Sequence, residues 1–186
     1  MKFSAVLLAG GESRRMGEDK ATIRFRNDPL WQIQLDLLRK LQPSELFVSA
    51  QIDPSWRPMD VQFIADDQPS RGPVSGIAAA LARTTTDHLL VVAIDMPFMT
   101  ANYLRALCEQ IQPGCGVVPI IESRTEPLAA IYPRDAHIDF VHALLGADFS
   151  LQPLVRKLIA NGKLRPLEVA EQDRALFRNL NEPRDL

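Results

Sequence analysis

A strand-length apolar run, Phe3 to Ala9, empties directly into Gly10-Gly11, and that junction constrains the fold more than any other part of the chain. A continuous apolar run of this length suits a parallel strand buried on both faces. A glycine turn at its end is how the first strand of an open α/β sheet meets its ligand crevice. The loop that follows reads GESRRMGEDK over residues 11–20 and sets Arg14, Arg15 and Lys20 among glycines. Glycines let backbone amides approach oxyanions, and the three cations supply countercharge, so the loop is expected to handle polyphosphate. It is neither a G-x-G-x-x-G dinucleotide fingerprint nor a Walker loop: Gly10-Gly11 is followed only by Gly17, and Asp19 and Ala21 flank Lys20.

The rest of the chain continues the rhythm that this junction starts. Thr22–Phe25 reads as a short extended piece. From Pro29 to Leu41, Leu30, Ile33, Leu37, Leu38 and Leu41 fall at helical spacing, with proline at the start. Leu46–Ser49 and Val61–Ile64 are the next strands, and Asp66–Pro73 is a polar loop feeding a helix over Val74–Arg83. His88–Ile94 is the second strongly apolar strand, closed by Asp95-Met96-Pro97, and a helix over Tyr103–Ile111 and a strand over Gly116–Ile121 follow. The last third departs from the rhythm: Pro127–Tyr132 reads as strand, Ala136–Leu145 and Leu151–Ala160 as helices, Leu167–Val169 as a return to the sheet, and the tail as polar and turn-like. Alternating strands and helices predict a three-layer, Rossmann-like α/β fold, with a mostly parallel central sheet between helices. With no repeat or linker in 186 residues, one domain over residues 1–186 is expected.

Composition narrows the partners. A net charge of −2 with 24% charged residues carries no chain-wide footprint for nucleic acid or membrane. A local basic loop remains compatible with a small anionic ligand. The apolar run after Lys2 is too short for a signal peptide or a membrane span. Cys108 and Cys115 are too few for a disulfide scaffold or a zinc cage, so reduced thiols in a cytoplasmic protein are expected.

Other residues can complete a phosphate site. Asp95, in VVAIDMPF, lies where a strand ends at the crevice, and a carboxylate there can hold a magnesium ion that bridges substrate phosphates. Its rival reading as a helix N-cap is weaker, because Thr100 is better placed to cap. Asp66 and Asp67, in DDQPSRGPVSG, can accept from a ribose or a base, or can be solvated turn residues. Gly76 allows close backbone approach to a ligand or tight helix packing. Asn179 and Asn181, by composition alone, are terminal-turn residues. His137 and His142 are not at i, i+4 spacing, Ser13 and Ser75 have no evident histidine partner, and Glu122 and Glu126 read as solvated.

LAGGESRRMGEDKA, GPVSGI, DMPF, EPLAAIYP and NLNEPRDL, in that order along nearly the whole chain, resemble the molybdenum cofactor guanylyltransferase family, also called molybdopterin-guanine dinucleotide synthase component A. The resemblance implies a nucleotidyltransferase that moves GMP from GTP onto the phosphate of the molybdopterin-bound cofactor, with Mg2+ required and pyrophosphate leaving. It implies that Leu8, Ala9 and Gly10 contact the nucleotide through their backbone and that Gly11 continues the turn. Lys20 matches the phosphate-binding lysine and Arg15 a basic residue of the same loop. Asp66 matches a nucleoside contact, and Asp95 the metal-binding aspartate. Ser49 stands where well-known members carry a nucleotide-contacting asparagine, a departure at that position. Asn179 and Asn181 match asparagines near the cofactor side of the cleft. Relatives that transfer CMP carry alanine-alanine-glycine in place of Ala9-Gly10-Gly11 and aspartate-glutamine-proline in place of Asp95-Met96-Pro97, so guanine is implied here.

Arg15, Lys20 and Asp95 are therefore the expected catalytic residues, acting by position and charge on an anionic nucleophile that needs no general base. GTP and molybdopterin are the expected substrates. A monomer with transient contacts to cofactor-delivery proteins or molybdoenzymes is expected, without nucleic acid or membrane. The rival functions are a nucleotidyltransferase using CTP or a sugar phosphate, a nucleotide-binding protein without turnover, and a partner-docking module in cofactor delivery.

Overall fold

The computed structural model describes residues 2–10, 19–66 and 69–180. In chain order the strands are β1 (Ser4–Leu8), β2 (Arg24–Phe25), β3 (Asp28–Pro29), β4 (Glu45–Ala50), β5 (Gln62–Ala65), β6 (His88–Ala93), β7 (Gly116–Ile121), β8 (Arg124–Thr125), β9 (Ala129–Pro133) and β10 (Leu164–Glu168). The helices are α1 (Leu30–Arg39), α2 (Pro73–Arg83), α3 (Ala101–Cys108), α4 (His137–Leu144) and α5 (Leu151–Ala160). The main sheet runs β10-β7-β9-β6-β1-β4-β5, with β8 appended to β7. Its long strands are parallel except β9, which runs antiparallel to both β6 and β7.

The central strand explains the layering. All five residues of β1 are buried, and alternate residues face opposite ways, so each side of the strand needs its own cover. Ala5 and Leu7 join a core with Leu30, Leu35 and Leu38 of α1 and Leu104 and Leu107 of α3. Val6 and Leu8 join another with Val74, Ile77 and Leu81 of α2, Phe140 of α4 and Val155 and Leu158 of α5. Each fully buried Val or Leu contributes roughly 1.5–3 kcal/mol of transfer free energy, enough to fix the register of a five-residue strand. This is the mostly parallel sheet flanked by helices that the sequence predicts.

Local chemistry sets several boundaries. Pro73 occupies the first position of α2, where a missing N–H costs nothing, and Thr100 caps α3 by accepting from the Tyr103 amide at 3.3 Å. The segment expected to be extended from Thr22 begins instead as a 3-10 turn over Lys20–Thr22, because the Asp19 carboxylate accepts from the Ala21 amide at 3.0 Å. After it, β2 and β3 form a hairpin through Arg26 and Asn27, both at positive φ. The tail holds a 3-10 segment, Glu171–Phe177, before it turns extended. Burial pushes the Cys108 thiol up to about 12, so it stays protonated and unreactive. Among the described residues no helix is long and apolar enough to cross a membrane.

Candidate active site

The carboxyl ends of β1, β4, β5 and β6 meet along one edge of the sheet. From β1 the chain goes first to β4 and β5 on one side and then to β6 on the other. The connections leaving β1 and β6 therefore diverge, and the crevice between them is the switch point at which such sheets take ligands. Backbone hydrogen bonds lace this edge past the regular ladder. The Ala9 amide donates to Ser49 O at 2.9 Å, Asp66 to Ala50 O at 3.0 Å, Ile94 to Leu8 O at 3.0 Å, and Ala93 to Leu128 O at 3.0 Å. Leu8, Ala9 and Gly10 thus reach the crevice on a fixed backbone. Gly11, Arg14, Arg15, Asp67 and Asn181 lie outside the described residues.

Across the crevice Lys20 Nζ donates to Asp95 Oδ2 at 2.9 Å, although 75 residues separate them. Both side chains are about one-fifth exposed, at 20% and 19%, so the pair faces the opening without being immersed in solvent. The other oxygen, Asp95 Oδ1, is buried and has no hydrogen-bond partner among the described residues. Leaving a carboxylate oxygen in that state costs on the order of 1–3 kcal/mol or more, and a charged ligand atom at Oδ1 relieves it. No cluster of three or more His, Cys, Asp or Glu able to hold a metal occurs among the described residues. A single carboxylate suits Mg2+, which keeps waters and takes substrate phosphate oxygens as further ligands, and Asp95 fits that ion.

Lys20 is aimed by its neighbours. Asp19 Oδ1 caps the 3-10 turn that carries the lysine, and Asp19 Oδ2 accepts from Trp56 Nε1 at 3.0 Å. Trp56 in turn stacks on Trp31 of α1, with centroids 5.7 Å apart and planes at 15°. No periodicity announces this bracket; its one trace in the chain is the presence of two tryptophans. Ala9, Gly10, Asp19, Ala50, Ile52 and Trp56 line a recess of roughly 300 Å3 beside the lysine. A larger recess of roughly 600 Å3, by Asp87, Arg134 and His137, opens at the opposite edge of the sheet, away from these charges.

Ser49, Asp66 and Gly76 sit together below the opening. Ser49 Oγ donates to Asp66 Oδ1 at 2.5 Å, and the two residues are 1% and 7% exposed. A methyl group placed on Gly10 would stand 2.7 Å from Asp66 Oδ2, and one on Gly76 would stand 2.8 Å from Ser49 Oγ and 3.2 Å from Asp66 Oδ1. These two glycines are required by space rather than by backbone angle. The Asp66 carboxylate is packed between them and presents little surface. Just above, Gly72 adopts φ 68° and ψ −150°, a region reserved for glycine, and so turns the chain into α2. The Arg71 amide donates to Ser75 Oγ at 2.9 Å, and the Arg71 guanidinium lies 4.7 Å from the centre of the Phe149 ring. Ser75 is thus a buried turn fastener.

At the far side of Asp95 the tail returns. The Leu180 amide donates to Asp95 O at 2.9 Å, which brings the tail onto the Asp95 backbone, and Asn179, one residue earlier, is exposed. Glu122 is exposed and paired with Arg174, as a solvated residue would be. Glu126 differs from its expected solvated state: it is partly buried, and desolvation pushes its carboxyl up against the pull of Arg124. Its amide bonds Pro119 O at 2.8 Å, which draws it into the β7–β9 connection.

Comparison with known proteins gives a consistent picture. A family model described as "MobA-like NTP transferase domain" matches residues 5–165. A protein of Opitutus terrae named "Probable molybdenum cofactor guanylyltransferase" is 33% identical over 98% of this chain and 92% of its own length. The "Molybdenum cofactor guanylyltransferase" of Xanthomonas euvesicatoria is 30% identical over 97% of this chain and 90% of its own. Among solved structures, molybdopterin-guanine dinucleotide biosynthesis protein A from Archaeoglobus fulgidus superposes with a TM-score of 0.77 at 24% identity, covering 98% of this chain and 94% of that one. At that identity the superposition speaks for the fold.

Proposed function

The chain belongs to the MobA-like NTP transferase family, and from that membership we propose that it transfers GMP from GTP to molybdopterin-bound molybdenum cofactor. The relatives bearing the guanylyltransferase name match nearly the whole chain, so the activity is carried over a full-length likeness rather than a shared fragment. The observation that carries the reading is the Lys20–Asp95 pair at the β1/β6 switch point, with Asp95 Oδ1 buried and unpartnered.

In this reaction an oxygen of the molybdopterin phosphate attacks the α-phosphorus of GTP. The new P–O bond forms as the bond from that phosphorus to the bridging oxygen breaks, and pyrophosphate carries away the electron pair. The nucleophile is already anionic, so the protein needs no base. Its work is to hold two mutually repelling anions in line and to offset the charge gathering on the transferring phosphoryl. The backbone of Leu8, Ala9 and Gly10 lines the triphosphate, and the lysine ammonium of Lys20, released from Asp95, neutralises it. Arg15 adds charge from the same loop. Asp95 would hold Mg2+, which when bound would supply positive charge to the phosphate oxygens. Ser49 and Asp66 support the nucleotide wall behind Gly10, with Gly76 leaving room for them. Asn179 and Asn181 are assigned to the second substrate by the family resemblance alone. The same reading takes the chain as a single-domain cytoplasmic monomer that hands its product to molybdoenzymes or their delivery proteins.

Each of the four NTPs, incubated with the protein, Mg2+ and molybdenum cofactor, tests the proposal through pyrophosphate release. Release with GTP alone, dependent on the molybdenum cofactor, is expected. Turnover with CTP in place of GTP, or binding of GTP without release, overturns it.

A further inference from the structure

The segment Phe177–Leu180 lies beyond the residues that the family model matches, yet it packs directly against the loop that carries Asp95. Three contacts dock it. Phe177, 8% exposed, meets the Tyr103 ring edge-on with centroids 5.3 Å apart and planes at 89°. The Arg178 guanidinium lies 5.3 Å from the centre of the Phe98 ring, and Phe98 is braced edge-on against Phe25 at 5.2 Å. Leu180 is 2% exposed, and its amide donates to Asp95 O at 2.9 Å.

The position of that last bond matters. Ladder-like support along this strand stops at Ala93, which donates to Leu128 O, and Ile94, which donates to Leu8 O. Asp95 lies past both. Its own carbonyl is held by the tail, and the plane of that peptide sets the direction in which its side chain leaves the backbone. The two aromatic partners, Phe98 and Tyr103, stand just downstream on the same stretch of chain, so the tail holds this loop at Asp95 itself and again past Pro97. Stacking pairs of this kind contribute roughly 0.5–1.5 kcal/mol each, enough together to keep the tail docked.

We infer that Phe177, Arg178 and Leu180 are positioning residues that aim the Asp95 carboxylate, so that the tail, and not only the sheet, builds the metal site. The inference rests on the proposed metal role of Asp95. Outer partners that orient a metal ligand typically change metal affinity by about 10- to 100-fold when removed.

Mn2+ titration of the GTP-saturated full-length protein, followed by electron paramagnetic resonance, tests this. Phe177→Ala and Leu180→Ala should each weaken Mn2+ binding about tenfold, while GTP affinity without metal stays within about twofold and Leu180→Met binds Mn2+ like the wild type. Arg178→Ala, at an exposed position, should weaken Mn2+ by about two- to threefold and keeps the test alive if Phe177→Ala fails to fold. Unchanged Mn2+ affinity in folded Leu180→Ala and Arg178→Ala proteins, against a wild type that binds, overturns the tail's role and leaves the metal role of Asp95 intact. A wild type that takes up no Mn2+ beside GTP overturns that metal role first, and the tail's part in it falls as well.

Discussion

The polar cluster around Glu45 at the amino edge of the sheet and the one around Asp95 at the carboxyl edge treat their side chains in opposite ways, although the same parallel strands run from one to the other. At the amino edge Ser4 Oγ donates to Glu45 Oε2 at 2.6 Å and accepts from Thr84 Oγ1 at 2.6 Å. The Thr85 amide donates to the same Glu45 oxygen at 2.8 Å, and Thr86 Oγ1 donates to His88 O at 2.8 Å. Each of these groups has its partner within the protein. At the carboxyl edge Asp95 Oδ1 is buried with none among the described residues, two glycines sit where a methyl group would collide, and Lys20 pairs with the Asp95 carboxylate at the opening. A satisfied edge stabilises a fold; an edge with a deficit of partners is completed by a ligand.

Substitutions can break the contrast, beginning with those expected to act most strongly. Asp95→Ala should cut turnover by about 10²–10³-fold, the scale on which a preorganised charge at a reacting phosphate acts. Its melting temperature should stay near that of the wild type, because loss of the part-exposed ion pair with Lys20 is offset by removal of a buried oxygen that has no partner among the described residues. A steady-state assay beside a thermal melt checks both halves, and a folded variant with near-normal Mg2+-dependent activity removes the metal assignment. Lys20→Ala should weaken GTP binding by about tenfold through loss of one charge-assisted contact, read by titration calorimetry. GTP affinity and rate both unchanged would take Lys20 out of the site.

Gly76→Ala probes the space between the two edges. Its new methyl stands 2.8 Å from Ser49 Oγ and 3.1 Å from a Leu8 methyl, so the Ser49–Asp66 pair or the end of β1 must shift. A loss of about 1–3 kcal/mol in stability is expected, together with a raised KM for GTP. A variant as stable as the wild type, with unaltered KM, would show that this corner is slack. At the satisfied edge, Glu45→Gln should cost about 1 kcal/mol, measured by denaturant unfolding, and leave kcat and KM unchanged.

The Glu45 site also sets a pH signature. Burial pushes the Glu45 carboxyl up, but the hydrogen bonds from Ser4, Thr85 and Thr84 outweigh it and hold the group below its ordinary range. A carboxyl depressed in the folded state stabilises above its unfolded pKa, and that stabilisation is lost as pH falls through the folded value. The stability gap between wild type and Glu45→Gln should therefore be steady above about pH 5 and close below it. A gap that widens on acidification would contradict the sign.

Legibility in the sequence followed how local each signal was. Gly116–Ile121 and Leu151–Ala160 stand where the apolar runs placed them, and the strands ending before Gly10 and Asp95 came within a residue. These are long, uninterrupted patterns. Of the extended piece expected over Thr22–Phe25, Thr22 instead closes the 3-10 turn Lys20–Thr22, because the cause of that turn is one hydrogen bond accepted by the Asp19 side chain. Asp95 was legible as a residue at a strand's end. That its two oxygens would divide, with one on Lys20 and one unpartnered, depends on a partner 75 positions away. The Trp31–Trp56 bracket and the docking of Phe177 on Tyr103 are likewise products of the assembled chain, with no periodicity to announce them.

A crystal of the protein with Mn2+ and a non-hydrolysable GTP analogue, examined by anomalous scattering at the manganese edge, tests the central claim most directly. The account predicts manganese on Asp95 Oδ1, phosphate oxygens completing its shell, and Lys20 moved from Asp95 onto the triphosphate. Manganese bound elsewhere, or the analogue seated away from the ends of β1 and β6 with the Lys20–Asp95 pair intact, would contradict it.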